Sequence, residues 1–288
     1  MKYKIADIVL DVDGTENEYI SERMKEYACD KSESTDVVIS YSRSKEISYP
    51  ADFNNASERI AGWKWYFDKD TITAFDVNDR IDFIMSSVMW NSEKKRAVIQ
   101  ACDTCPFSGI KLSEGFFNLV GHAFSFIAPE FDTFVFHSSA IAYDDFGVLI
   151  SAPSGTGKST HAGLWKRHFP DRVEIINDDT PAIKKCGSEF FVCGTPWSGK
   201  TKINTPKQVP LKAIVCIRQA KENMIKKLDF KTAFYCIFNE IRKMPEEKHI
   251  GKVLDLTNQM LLKVPVYELS CNISYDAVQL LKNTLDLK

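Results

Sequence analysis

"SAPSGTGKSTHAGLW", residues 151–165, decides how the chain is read. It follows the pattern GxxxxGK[ST] of a loop that wraps phosphate, except that Ala152 stands where the first glycine belongs. A triphosphate needs backbone N–H groups aimed at its oxygens, and a loop wound at a helix N-terminus supplies them with the helix dipole behind. Gly155 and Gly157 let the chain turn tightly and approach the phosphates without a β-carbon in the way. The expected phosphate cradle is Ser154, Gly155, Thr156, Gly157, Lys158, Ser159 and Thr160. Lys158 brings a movable charge to the β- and γ-phosphates, and the Ser159 hydroxyl is placed for Mg²⁺.

The flanks fit that reading. An apolar strand, Val148–Ile150, feeds into the loop, and a helix over Gly157–Phe169, stopped by Pro170, leads out. Ala162, Trp165 and Phe169 share one face of that helix and can pack on a sheet. Alanine at 152 is acceptable if it keeps a negative φ, with Pro153 stiffening the turn. The alternative, a glycine-rich turn without a ligand, leaves Lys158 and Ser159 at the helix start with little packing purpose.

Twenty residues after Lys158, the apolar segment VEIINDD ends in Asp178 and Asp179. One crossover helix between two strands makes them parallel, so both C-terminal ends lie on one edge of the sheet. The carboxylates are thereby expected beside the loop. Adjacent residues point differently, so one can hold Mg²⁺ while the other takes a proton from an attacking hydroxyl. The plainer alternative is an Asp-Asp turn that caps a strand.

SGTGKST followed by a strand ending in DD resembles HPr kinase/phosphorylase and, more distantly, ATP-dependent phosphoenolpyruvate carboxykinase. FHSSAIAYDDFGVLISAPSGTGKS is also similar to the HPr kinase arrangement, in which a His-bearing strand precedes the loop by one hairpin; His137 matches that histidine. The resemblance covers roughly residues 130–217. It implies an α/β (α+β overall) protein with a P-loop kinase core of the HPr kinase/PEP carboxykinase type. It implies ATP and Mg²⁺ as cofactors, Lys158 on the phosphates, Ser159 and Asp179 on the metal, Asp178 as acid/base and His137 beside the transferred phosphate. The carboxykinase's separate lysine and histidine metal motif is not found in the N-terminal half, and GTPWSGK stands where the HPr kinase signature would follow the Asp pair.

The other 200 residues set the context. A length of 288 residues suits one large domain or two small ones, and 44% hydrophobic residues can fill a core. The formal charge of -2 gives no hint of nucleic-acid binding. No run approaches a membrane span, and acidic residues near the N-terminus argue against a secretory signal. The expectation is a cytoplasmic protein with reduced thiols, its lone CxxC (Cys102, Cys105) lacking the partners of a zinc or redox site.

The expected division is a β-rich region over 1–128, which selects the acceptor, and a catalytic domain over 129–288. In the first, strands are expected at Lys2–Asp11, Val37–Tyr41, Lys64–Phe67, Thr71–Phe75, Ile81–Met85 and Ala97–Gln100. Helices are expected at Ile20–Cys29 and Ser113–Ile127, the latter with Ser113 as N-cap, Pro129 as stop and His122 in a packing role. In the second, Phe134–Ala142, Phe146–Ile150, Val173–Ile176, the segment around Val192, Lys212–Ile217 and Val264–Leu269 read as strands, and Lys231–Lys243 and Tyr275–Leu285 as helices. Pro206 and Pro210 mark a loop over 201–210, and Pro245–His249 reads as a solvated loop.

Among the remaining candidates, GTPWSGK (194–200) is either a functional loop or a tight turn with Trp197 buried; Ser198, Lys200 or Lys202 would meet a phosphate or the acceptor. Arg242 can neutralise transition-state charge, although a solvated helix face is the simpler reading. His161 and His168 read as packing or surface. The acceptor is a hydroxyl on a protein, a peptide or a small molecule, and a homo-oligomer is implied by analogy. Two rivals stand beside the kinase: a phosphoenolpyruvate carboxykinase-like enzyme and a non-catalytic ATP-binding switch.

Overall fold

The structure, a computed structural model, describes residues 1–287 except 15–17, 55–58, 82, 92 and 103–111. It is a mixed α/β protein with two sheets and, among the described residues, six α-helices. The chain divides into two units, Met1–Ile127 and Ala128–Lys288.

The first unit holds β1 (Lys2–Ile5), β2 (Ile8–Gly14), α1 (Glu18–Met24), β3 (Val37–Ser44), β4 (Lys64–Phe67), β5 (Thr71–Asn78), β6 (Phe83–Asn91), β7 (Arg96–Cys102) and α2 (Leu112–Ile127). Its sheet runs β1-β2-β3-β7-β6-β5-β4, with β2, β3 and β7 parallel and the other neighbours antiparallel. The single strand expected over Lys2–Asp11 is a hairpin, turned at Ala6 and Asp7 with positive φ at both. A two-residue turn leaves the alternation in step on either side, and Ala-Asp lacks the glycine that usually marks it. The helix expected to 29 ends at Met24 and continues as a 3₁₀ turn to Tyr27. Ser113 lies inside α2 rather than capping it, while the helix stops before Pro129 as expected. Aromatic packing dominates this core: Trp65 and Trp90 stack at 6.1 Å, and each meets Phe126 edge-on at 5.5 Å. His122 packs against Trp63.

The second unit holds β8 (Thr133–Val135), β9 (Ser139–Tyr143), β10 (Phe146–Ser151), α3 (Lys158–His168), β11 (Val173–Asn177), β12 (Ala182–Cys186), β13 (Glu189–Cys193), β14 (Gln208–Gln219), β15 (Met224–Lys227), α4 (Phe230–Phe238), α5 (Glu247–Leu261), β16 (Val266–Cys271) and α6 (Tyr275–Thr284). The sheet runs β11-β9-β10-β14-β13-β12-β8, with β16 also on β14 and β15 on β16. β10, β14 and β16 are parallel neighbours. β10 and β11 are both antiparallel to β9, so they run parallel to each other with β9 between them. Four strands thus end at one edge of the sheet, where β9 begins.

Several expectations are corrected here. Phe134–Ala142 is interrupted at residues 136–138, where Phe136 bridges to Ile241 instead. The loop expected over 201–210 ends at Gln208, and Pro210 lies within β14 at the point where that strand changes partner from β13 to β10. A missing N–H costs least at such a switch. The helix expected to 243 ends at Phe238, and PEEKH is no loop: α5 opens at Glu247. The buried stripe of α5 includes His249 and Thr257 beside Val253, Leu256 and Met260, which interrupts the apolar period that would have revealed it. β12 and β15 were not expected at all.

Candidate functional site

The loop leaves β10 at Ser151. Ala152 is buried and is not among the residues with positive φ, so alanine needs no glycine conformation there. The left-handed turns fall on Gly155 (φ 80°) and Gly157 (φ 115°), the latter capping α3. Open space surrounds the position of a β-carbon at either glycine, so backbone conformation rather than crowding demands them. Thr156 N–H bonds the Pro153 carbonyl at 3.2 Å, and Gln219 at the end of β14 donates to the Thr156 carbonyl at 3.0 Å. Ala162 and Trp165 of α3 are fully buried against Tyr143 and the central strands, with Phe169 alongside. That packing fixes where the helix N-terminus points.

Lys158 is 7% exposed, and its ammonium donates to the Ala152 carbonyl at 2.7 Å. Burial pulls its pKa below the usual lysine value, while the charges of Glu240, Asp179 and Asp178 act in the opposite direction. Ser154, Gly155, Ser159 and Thr160 are exposed at the same edge, and Thr156 and Gly157 are half-buried.

Asp178 and Asp179 follow β11 at that edge. Asp178 is buried and accepts the Ser139 hydroxyl at 2.6 Å. The Asp179 carbonyl accepts from Ser138 N–H at 3.1 Å, and its carboxylate faces His137, with Nε2 to Oδ1 at 3.6 Å. His137 sits in the break between β8 and β9, inside the stretch expected as a single strand. The helical expectation for Arg242 is corrected: it lies past α4, its N–H bonds the Val135 carbonyl at 3.1 Å, and burial lowers its pKa while Asp179 raises it. A solvated helix face does not describe it.

The segment 194–204 closes over the pair. Asn177, fully buried, donates to the carbonyls of Thr195 (2.8 Å) and Trp197 (3.1 Å) and accepts the N–H groups of Asp179 (2.9 Å) and Thr180 (2.7 Å). The Thr180 hydroxyl also donates to the Trp197 carbonyl. Trp197 is buried, and Ser198 is buried with its hydroxyl accepting from Asn204 at 2.7 Å. Lys200 and Lys202 are exposed at the tip. Gly199 (φ 60°) comes so near that a β-carbon there would lie 3.1 Å from Asp179 Cβ. Asn177 and Thr180 escaped the sequence reading, since a buried asparagine before DD looks like part of a turn.

On the other side of the loop is a cleft of about 390 Å³. Gly155, Thr160, His161, Leu164, Ile217, Gln219 and Asn272 are among its walls. His161 is buried, takes the Trp165 indole N–H at 3.3 Å, and is pushed down to about 4 by burial. His168 packs on Tyr275. Among the described residues no group of three or more His, Cys, Asp or Glu could hold a metal by itself. Cys102 is buried and its thiol donates to the Lys45 carbonyl, and Cys105 lies outside the described residues. Among the described residues no helix is long and apolar enough to cross a membrane.

No family model matches the chain, and no curated protein matches it. Among solved structures it is similar to the HPr(Ser) kinase/phosphatase from Coxiella burnetii, at 14% identity over 53% of this chain and 93% of that one, with a TM-score of 0.29.

Proposed function

We propose that the chain is an ATP- and Mg²⁺-dependent phosphotransferase with a P-loop kinase core of the HPr kinase type, which moves the γ-phosphoryl group to a hydroxyl of a protein, peptide or small molecule. The observation that carries this reading is the meeting at one sheet edge of a glycine loop opening α3 with a buried lysine, two carboxylates and a histidine. Parallel strands place their carboxyl ends there, the usual ligand edge of such sheets.

The triphosphate lies along residues 154–160, with the nucleoside in the adjoining cleft. Lys158 exchanges the Ala152 carbonyl for phosphate oxygens. Ser159 and Asp179 would hold Mg²⁺, which would supply charge neutralisation on the phosphates. Asp178, steadied by the Ser139 hydroxyl, takes the proton of the acceptor hydroxyl as its oxygen bonds phosphorus and the bond to the ADP oxygen breaks. Arg242 places positive charge near Asp179, and the 194–204 segment borders the acceptor side. The β-rich region selects the acceptor.

The test is ADP release from Mg·ATP with free serine and threonine, serine-containing peptides, or HPr, against Lys158→Ala. Acceptor-stimulated release that vanishes in the variant supports the kinase. Tight ATP binding without stimulated release by any acceptor favours a nucleotide-driven switch, and release that needs a carboxylate substrate favours carboxykinase chemistry.

A further inference from the structure

Glu240 stands two residues beyond α4, where nothing in the sequence marks it. Its N–H bonds the Ile237 carbonyl, and its own carbonyl accepts His137 N–H, each at 2.9 Å. Its side-chain Oε2 lies 2.9 Å from His137 Nδ1, so the two residues are joined twice. A carboxylate only accepts, so Nδ1 must carry the proton of that bond. The opposite nitrogen, Nε2, lies 3.6 Å from Asp179 Oδ1, beyond hydrogen-bond length. Asp179 is itself held by Ser138 N–H, in the same break of the sheet. Lys158 feels the same group: among the three carboxylates acting on its ammonium, Glu240 acts most strongly.

We propose that Glu240 is a positioning residue of the phosphotransfer site: its carboxylate fixes His137 with Nδ1 protonated and Nε2 turned to Asp179. The proposal rests on the phosphotransferase reading. A histidine between two carboxylates has two ring orientations available, and only a bond to one nitrogen selects between them. The histidine then meets the acceptor side in one orientation. A purely structural role is already served by the main-chain bond between His137 and Glu240, which survives any change of side chain.

The experiment compares Glu240→Ala, Glu240→Gln, His137→Ala and the double variant Glu240→Ala/His137→Ala, with MgATP and the acceptor that stimulates wild-type release. In Glu240→Ala, kcat falls about 10- to 100-fold while KM for ATP does not rise. Glu240→Gln recovers most of the loss, because its amide oxygen accepts the same bond. The double variant is no slower than His137→Ala alone, since Glu240 acts through the ring. Losses that multiply in the double variant, or a Glu240→Gln chain as slow as Glu240→Ala, overturn the proposal. The ring ¹⁵N spectrum gives a readout independent of turnover; with five histidines in the chain, His137→Ala assigns the signal. An Nδ1 resonance that moves in Glu240→Ala supports the bond, and one that stays put overturns it. A wild-type chain inactive with every acceptor overturns the phosphotransferase reading instead, and the ring spectrum still decides on Glu240.

Discussion

Both units set parallel strands inside a mixed sheet and both bury some polar side chains, yet they differ in what fills the core and in where the polar groups gather. The first fills its core with rings: Trp65, Trp90 and Phe126 stack and cross, and the Ala123 carbonyl of α2 accepts the Trp90 indole N–H. The second buries Ser138, Ser139, Lys158, Asn177, Asp178, Thr180 and Thr195, all around the edge where its parallel strands end. Burying such groups costs free energy unless each is hydrogen-bonded, and here Asn177 alone ties two carbonyls to two N–H groups. The contrast teaches where to look for chemistry: apolar burial reports stability, and bonded polar burial at strand ends reports a site.

The sharpest way to break that contrast is Lys158→Ala, expected to lower acceptor-dependent ATP turnover by about 10⁴-fold. Wild-type turnover in the variant would remove the loop from the mechanism. Asp178→Asn is expected to keep ATP affinity and lose about 10³-fold in transfer, read by comparing nucleotide titration with product formation. Undiminished phosphorylation would reassign the base. In the first unit, Trp90→Ala is expected to cost about 3–5 kcal/mol in urea unfolding, with turnover per folded molecule retained. A comparable loss of turnover would show that the aromatic core carries function too.

The smallest effect tests His161, buried at the root of α3. Its folded-state value of about 4 lies below the ordinary 6.5, so the unfolded chain takes up the proton first as pH falls. The stability this group contributes is complete above pH 6.5 and drains away as pH drops toward 4, by up to about 3 kcal/mol. Urea unfolding of the second unit at pH 7.5 and pH 5 should show the loss in the wild type and a weaker one in His161→Gln. Equal pH slopes would mean that other groups set the acid limit.

Much of the site was legible because its residues are contiguous or evenly spaced. Gly155, Gly157 and Lys158 fall in one heptapeptide, and the strand–helix–strand order puts Asp178 and Asp179 on the same edge. β9 lying between β10 and β11 was not legible, since strand order within a sheet leaves no local signal. Glu240 and Arg242 depend on one long-range bridge, Phe136 to Ile241, which no pattern near either residue announces. Whether Trp197 is buried was left open because its glycine and proline neighbours read as surface, whereas the polar network around Asn177 draws that segment inward. α5 was missed because a buried histidine and threonine stand in its apolar stripe.

β14 has a further consequence, for how the length of this chain can vary. Over twelve residues it pairs first with β13 and then with β10 and β16, and its last residue holds the Thr156 carbonyl of the glycine loop. Side chains alternate along a strand, so one residue inserted or deleted in its middle turns every later side chain to the opposite face and carries Gln219 away from the loop. Insertions and deletions should therefore be absent from 208–219 in any working relative and gather in exposed turns such as Gly187 or the 200–202 tip. β14 is the ruler of the unit, and the loop is set against its end.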